Sequence, residues 1–207
     1  MNLPPNKPKS KRPVVFLDRD GTLNVERGYI HELENLNLID GAADAIKTLN
    51  QNGIAAVLVT NQTGAARGYY SEDHILALNK RLCDLLAKEG AHMDGVYYCP
   101  HLSLEEGGKV EPYALDCRCR KPEIGLVEQA YKENEDLEPA LSYVVGDKST
   151  DVELAINCGA KGVLVKTGYG EKVLSGEYQW KVTPNHLAES ITDAVEWILK
   201  DLALQSR

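Results

Sequence analysis

The sequence has no long hydrophobic run. Its longest purely aliphatic stretch, residues 54–59, is far shorter than the roughly 18 residues that a membrane-spanning helix needs. No apolar stretch follows the first basic residues near the amino terminus. We therefore expect neither a membrane protein nor a secretory signal, and we expect the chain to act in the cytoplasm.

Positive charge and paired cysteines are also scarce. The 207 residues hold 23 Lys and Arg against 31 Asp and Glu, a formal net charge of −8. Such a surface repels a nucleic-acid backbone, so we expect no nucleic-acid partner.

The 5 cysteines are an odd number, and Cys117 and Cys119 are one residue apart. A disulfide framework is therefore not expected, and the thiols are predicted to be reduced.

Short apolar runs alternate with amphipathic segments along most of the chain. The runs predict five buried strands, at residues 14–17, 54–59, 96–98, 142–145 and 163–165. Helical spacing predicts helices between most of them, with Asp40 and Ser71 as amino-terminal caps. The pattern indicates the α/β class, a doubly wound, Rossmann-like parallel sheet with helices on both faces. Residues 1–13 are predicted to be a flexible leader and residues 14–207 one domain.

Acidic and hydroxyl side chains stand at the predicted carboxyl ends of these strands. Asp18 and Asp20 follow the first strand, Thr60 ends the second, and Asp147 follows the fourth. Ligands of doubly wound sheets bind beyond these ends. Asp151, close after Asp147, would add a further carboxylate. Several carboxylates at one place make a hard, oxygen-rich pocket that suits Mg²⁺.

A second cluster lies in the long stretch 99–121, which shows little periodicity. Three thiols and an imidazole, the usual ligand number of structural zinc, are offered by Cys99, His101, Cys117 and Cys119. The one-residue spacers are shorter than usual, so unrelated thiols beside a surface histidine are the alternative. Zinc would hold a glycine-rich loop that has little core of its own, and the loop leads directly to Arg120 and Lys121.

Four short motifs occur in order between about residue 14 and residue 165, and together they resemble those of the haloacid dehalogenase (HAD) superfamily of phosphatases. The motifs are FLDRDGT at 16–22, TNQ at 60–62, KP at 121–122 and GDKSTD at 146–151. Four motifs in order are far more specific than any one of them alone.

The resemblance implies a covalent mechanism. Asp18 would attack phosphorus, and Asp20 would protonate the leaving oxygen and later deprotonate water. Mg²⁺ would be held by Asp18, the Asp20 carbonyl and Asp147. Thr60 and Lys121 would stabilise the phosphoryl oxygens.

The likeness extends to small HAD phosphatases that act on sugar bisphosphates, which have a minimal cap and a zinc-stabilised loop. It implies a small-molecule substrate bound by Glu26, Arg27, Gly28, Tyr29, Thr60, Asn61, Gln62, Thr63, Arg67, Arg120, Lys121 and Lys148. In a chain of this length, only the zinc loop and the segment after the first strand are expected to cover the phosphate site. We expect a monomer.

Other functions fit parts of the pattern. Histidinol-phosphate phosphatases share the acidic motif and a similar zinc loop, whereas polynucleotide 3′-phosphatases fit poorly with the net charge of −8. A phospho-receiver domain also has an Asp, a Thr and a Lys at strand ends, but it is about half as long. A zinc-binding interaction module leaves Asp18, Asp20 and Asp147 without a role.

Overall fold

The computed structural model describes residues 11–205, in which six strands form one parallel sheet. The strands are β1 (Arg12–Leu17), β2 (Ala55–Asn61), β3 (Gly95–Cys99), β4 (Leu137–Gly146), β5 (Lys161–Val165) and β6 (His186–Ala188). The α-helices are α1 (Ala42–Gln51), α2 (Gly64–Arg67), α3 (Glu72–Lys88), α4 (Gly125–Glu133), α5 (Ser149–Cys158), α6 (Gly170–Ser175) and α7 (Ile191–Gln205). A short 3₁₀ helix spans Leu33–Asn35.

The sheet has the strand order β3-β2-β1-β4-β5-β6, and each neighbouring pair is parallel. Helices α1, α3 and α7 pack on one face and α4 and α5 on the other, each group with its own buried apolar cluster. Residues 14–17 of β1 have no exposed surface, as a strand covered on both faces requires. The predicted doubly wound α/β fold is confirmed.

The amino-terminal boundary differs from the prediction. Arg12 and Pro13, assigned to the leader, belong to β1. Arg12 is fixed there because its guanidinium contacts Asp94 Oδ1 and Asp136 Oδ2, each at 2.9 Å. The rest of the predicted leader, up to residue 10, lies outside the described residues.

Three short elements, α2, α6 and β6, escape the sequence prediction because each is too short to show a period. The capping role predicted for Asp40 is wrong: Gly41, with φ 79°, occupies the cap position of α1, and no side chain caps the helix. Ser71 does occupy the cap position of α3, but its side chain makes no capping hydrogen bond. Across residues 11–205, the helices are all too short or too polar to span a membrane.

The chain order places one crevice at the centre of the sheet. The connection after β1 runs to β2 on one side, and the connection after β3 returns to β4 on the other side, so the order reverses between β1 and β4. Such a reversal opens a crevice beyond the carboxyl ends of the two strands, where ligands bind. Asp18 follows β1 and Asp147 follows β4, and the Asp18 N–H donates to Val145 O at 3.0 Å.

Candidate active site

A cleft of about 270 Å³ opens at this crevice. Its walls include nearly all of the side chains predicted from the sequence, namely Asp18, Asp20, Glu26, Gly28, Tyr29, Thr60, Asn61, Gln62, Thr63, Arg67, Arg120, Lys121 and Lys148. Asp147 lies behind the wall with no exposed surface, in contact with the Lys148 ammonium at 3.0 Å. Arg27 is exposed and does not line the cleft.

Asp18 is a buried carboxylate held between two lysines. Lys121 Nζ lies 2.9 Å from Asp18 Oδ1, and Lys148 Nζ lies 3.4 Å from Asp18 Oδ2. Burial alone would raise the pKa of Asp18, but the two ammonium groups outweigh it and lower that pKa below its usual value. Asp18 is therefore ionised and 4% exposed at the floor of the cleft.

Three oxygens around Lys148 form a cation site. Lys148 Nζ lies 3.4 Å from Asp18 Oδ2, 3.2 Å from Asp20 O and 3.0 Å from Asp147 Oδ1. These oxygens belong to the three residues that the resemblance to the HAD superfamily assigns to Mg²⁺. Hard oxygen donors from two strand ends suit Mg²⁺.

Asp147 and Asp151 differ in how they are used. Burial raises the pKa of Asp147 to about 7, and the nearby carboxylates add to that shift while Lys148 opposes it. Asp151 is already committed, because Oδ1 pairs with Lys121 Nζ at 2.6 Å and Oδ2 accepts from the Lys148 N–H at 3.0 Å. Asp18, Asp147 and Asp151 together offer three carboxylate oxygens within 4.8 Å of one another, a group that could hold a metal ion.

The turn after β1 brings the backbone against Asp147. Gly21 has φ +83°, and a Cβ atom built there would lie 2.2 Å from Asp147 Oδ2. Gly168 has φ +59°, and a Cβ atom built there would lie 2.1 Å from the same oxygen and 2.7 Å from Gly21 Cα. Only glycine combines this conformation with so close an approach. The two glycines therefore allow two chain segments to pack closely against one buried carboxylate.

Lys121 is fixed at the cleft floor by its own contacts and by Asn61. Its ammonium donates to Val59 O at 2.8 Å and pairs with Asp18 and Asp151. Burial would lower the pKa of Lys121, but the two carboxylates raise it overall. The Asn61 amide spans the Lys121 backbone, with Nδ2 donating to Lys121 O at 3.1 Å and Oδ1 accepting from Lys121 N at 3.0 Å. Asn61 thus holds the lysine that lies beside Asp18.

Asp20 turns its carboxylate away from Lys148, into a buried network. Arg19 Nη2 donates to Asp20 Oδ2 at 2.9 Å, Gln62 Nε2 to the same oxygen at 2.8 Å, and Asn24 Nδ2 to Oδ1 at 2.9 Å. Gln62 Nε2 also donates to Thr60 Oγ1 at 3.1 Å. Burial would raise the pKa of Asp20, but the Arg19 guanidinium and the Asn24 amide lower it overall.

A third segment of the chain covers the cleft, whereas the sequence predicted only two. Tyr169 and Tyr178, which flank α6, stack with ring centroids 4.1 Å apart, and both line the cleft with Gln179. The Tyr169 N–H donates to Asp147 Oδ2 at 2.8 Å, and the Ser149 N–H donates to Gln179 Oε1 at 2.9 Å. The prediction that only two segments cover the site is therefore wrong. Gly168 and Tyr169, shortly after β5, were the signal in the sequence that could have indicated this third segment.

The cationic side of the cleft is formed by Arg67 and Arg120. Arg120 Nε pairs with Glu106 Oε2 at 3.3 Å, and Arg67 Nη2 donates to Glu106 O at 3.4 Å. Arg67 Nε and Arg120 Nη1 are buried, and within residues 11–205 no group accepts their hydrogens. Buried donors of this kind favour an anion.

The zinc ligands predicted from the sequence converge in the structure. Their four ligand atoms lie within 4.8 Å of one another, at the end of β3 and in the loop that follows it. Neighbouring distances are 3.2 Å for Cys99 Sγ to Cys119 Sγ, 3.5 Å for Cys99 Sγ to Cys117 Sγ, and 3.2 Å for His101 Nδ1 to Cys119 Sγ. A tetrahedron with Zn–S bonds of about 2.3 Å has edges of about 3.8 Å. The cluster is therefore close to the size of a zinc site and could hold zinc.

A doubly wound sheet with paired carboxylates and lysines at its switch point is the architecture of a HAD-type phosphatase, and a HAD-hydrolase-like family model matches residues 118–194. The D-glycero-D-manno-heptose-1,7-bisphosphate 7-phosphatase of Thermosynechococcus vestitus is 51% identical over 193 residues, 93% of this chain and 98% of that protein. The chain belongs to this phosphatase family.

Further relatives agree. The D-glycero-beta-D-manno-heptose-1,7-bisphosphate 7-phosphatase of Escherichia coli K12 is 41% identical over 193 residues, 92% of this chain and 90% of that protein. A crystal structure of the D,D-heptose 1,7-bisphosphate phosphatase from B. bronchiseptica, complexed with magnesium and phosphate, matches with a TM-score of 0.77 at 28% identity. The match covers 91% of this chain and 99% of the B. bronchiseptica chain.

Proposed function

We propose that the protein is a Mg²⁺-dependent phosphatase that removes the C7 phosphate of D-glycero-D-manno-heptose 1,7-bisphosphate. This step would serve the synthesis of nucleotide-activated heptose for lipopolysaccharide or other surface glycans. The observation that carries the proposal is the cleft at the switch point, where Asp18 and Asp147 meet Lys121 and Lys148. The similarity to heptose bisphosphate phosphatases over nearly the whole chain supports the choice of substrate.

The proposed reaction has two steps at phosphorus. The Asp18 carboxylate attacks phosphorus and forms an aspartyl phosphate, while the bond from phosphorus to the C7 oxygen breaks and Asp20, which has to enter this step in its protonated form, gives that oxygen its proton. Asp20 then takes a proton from water, whose oxygen attacks the same phosphorus and frees Asp18 and inorganic phosphate.

The other groups of the cleft stabilise charge. Lys121 and Thr60 would face the equatorial oxygens of the transferring group, and the Asn61 amide keeps Lys121 in place. Mg²⁺ held by Asp18, the Asp20 carbonyl and Asp147 would neutralise charge on the phosphoryl oxygens. With Mg²⁺ bound among these oxygens, the Lys148 ammonium would contact the substrate. Glu26 Oε2 lies 3.3 Å from Lys148 Nζ and would orient the ammonium group.

The second phosphate of the substrate should set its selectivity. Arg67 and Arg120 offer buried donors on one side of the cleft, and guanidinium groups bind phosphate in bidentate fashion. We expect kcat/KM for the heptose 1,7-bisphosphate to exceed that for the monophosphate or for histidinol phosphate by at least about tenfold, because remote binding energy orients the reacting group. Phosphate-release kinetics measure the ratio, and phosphorus NMR identifies the phosphate that is lost.

Matched arginine variants distinguish binding of the second phosphate from a general effect of lost positive charge. Arg67→Gln should reduce kcat/KM for the bisphosphate and leave that for an aryl monophosphate unchanged. Arg118→Gln is the control, because the Arg118 side chain is 77% exposed and pairs only with Glu128 among the described residues. Loss of the C1 phosphate, or equal efficiency on histidinol phosphate, would contradict the proposed substrate and leave phosphatase chemistry standing.

We also propose one structural zinc ion per chain, held by Cys99, His101, Cys117 and Cys119. Zinc bound to Cys117 should fix the loop that carries Arg120. Cys117→Ser should therefore lower zinc content and activity more than it lowers global stability. Elemental analysis, phosphate release and thermal unfolding give the three readouts. Cys83→Ser is the control, because Cys83 lies on α3 outside the cluster. Purified active protein without zinc would contradict the assignment.

The remaining expectations are proposals that rest on composition. A formal charge of −8 and reduced thiols support a cytoplasmic enzyme of small sugar phosphates, without nucleic-acid or membrane partners. We propose a monomer. Sedimentation or light scattering measures its mass directly.

A further inference from the structure

Arg19 is a buried cation that the proposed reaction leaves without a task. Its side chain is 1% exposed, although it follows the nucleophile candidate directly in the sequence. Its guanidinium donates to Asp20 and, through Nη2, to Gln62 Oε1 at 2.8 Å. A buried guanidinium is tolerated only when it is paired and hydrogen-bonded, so its geometry depends on every acceptor around it.

The remaining acceptor comes from a helix outside the strand ends. Asn79 lies on α3 among Leu78, Leu82 and other fully buried residues of an apolar helix face, and it is itself only 3% exposed. Asn79 Oδ1 accepts from Arg19 Nη1 at 3.0 Å. Asn79 Nδ2 is buried, and among residues 11–205 no group accepts its hydrogens. The buried amide therefore destabilises the core, and its contribution to the structure is the hydrogen bond that it accepts from Arg19.

We infer that Asn79 is a positioning residue, which fixes the Arg19 guanidinium and through it the orientation of the Asp20 carboxylate. The inference rests on the proposed function, in which Asp20 protonates the leaving oxygen. Arg19 Nη1 has Asn79 as its acceptor, while Nη2 and Nε face Asp20. Without the Asn79 oxygen, the guanidinium can rotate in its plane, and the bidentate contact with Asp20 loosens.

Leaving-group dependence separates positioning from folding. A sugar alkoxide needs a proton as its bond to phosphorus breaks, whereas p-nitrophenolate leaves without one. A misplaced Asp20 should therefore slow cleavage of the phosphorus–oxygen bond in the sugar phosphate and spare that cleavage in the aryl phosphate, although hydrolysis of the aspartyl phosphate needs Asp20 as a base with either substrate. A loosened core would slow both substrates equally.

Asn79→Leu tests the inference, because leucine has a similar volume and no acceptor. We expect kcat for the heptose bisphosphate to fall about tenfold, a fraction of what general acid catalysis contributes, with KM unchanged. For p-nitrophenyl phosphate we expect the rate of nitrophenolate release in the first turnover, measured by rapid mixing, to change by less than about twofold. Asn79→Asp keeps the acceptor oxygen and should recover most of the lost kcat. Asn79→Ala carries the same expectation as Asn79→Leu if the leucine variant does not fold.

Leu82→Ala is the control variant. It creates a cavity on the same buried face of α3, so it should lower thermal stability and leave the ratio of kcat for the heptose bisphosphate to the first-turnover rate of nitrophenolate release at its wild-type value. Equal losses in these two rates in Asn79→Leu, or no loss in either, would overturn the positioning role. Failure of the wild-type protein to hydrolyse either ester with Mg²⁺ would instead overturn the proposed function.

Discussion

Asp18→Asn is expected to abolish phosphate release and to leave the fold intact. An amide is a far weaker nucleophile than a carboxylate, so no aspartyl phosphate can form, and kcat should fall by at least ~10⁴-fold. The amide nitrogen would also face the cation site, where a carboxylate oxygen now lies 3.4 Å from Lys148 Nζ. Phosphate release with Mg²⁺, measured on both a sugar phosphate and an aryl phosphate, gives the loss.

The fold should tolerate this change because the site holds more acid than base. Asp18, Asp147 and Asp151 share the Lys121 and Lys148 ammonium groups. Removal of one negative charge leaves each lysine with a partner and relieves repulsion among the carboxylates. Circular dichroism and thermal unfolding of Asp18→Asn should therefore match those of the wild type. A folded Asp18→Asn protein with wild-type turnover would exclude the covalent mechanism.

Much of the site could be predicted because parallel strands bring their carboxyl ends together. Asp18 and Asp147 are far apart in sequence, yet each follows a buried apolar run, and adjacency of β1 and β4 brings both to Lys148. For the carboxylates, local patterning together with one general rule of sheet topology suffices. The candidate zinc cluster could be predicted for another reason, because Cys99, His101, Cys117 and Cys119 supply the usual ligand number of structural zinc.

The rest depends on packing that local patterns do not encode. Tyr169 and Tyr178 reach the cleft because α6 is a short helix that turns the chain back, and six residues give no readable period. Asp20 follows Asp18 closely in sequence, but its carboxylate turns toward Arg19 and Gln62 because these neighbours supply buried donors. Asn79 did leave a signal, since an amide within an apolar helix stripe is unusual without a buried partner.

Asp20→Asn should have a large effect that depends on the leaving group. The asparagine side chain keeps the shape of Asp20, and its one oxygen, in the place of Oδ1, can still accept from Asn24 Nδ2 and Arg19 Nη2, so the nucleophile and the metal ligands should remain in place. An amide has no acidic proton to give, so hydrolysis of the sugar phosphate should slow by about 10²- to 10⁴-fold.

With an aryl phosphate, formation of the aspartyl phosphate needs little proton transfer, but its hydrolysis still needs a base. We therefore expect Asp20→Asn to release a burst of nitrophenolate and then turn over slowly, because the covalent intermediate accumulates on Asp18. Rapid-mixing kinetics measure the burst, and its amplitude should approach one equivalent of active enzyme. Asp18→Asn is the matched control and should show no burst. Equal steady-state rates for Asp20→Asn and the wild type on the sugar phosphate would contradict the acid and base role, because the same carboxyl group must protonate the sugar oxygen and then activate the water.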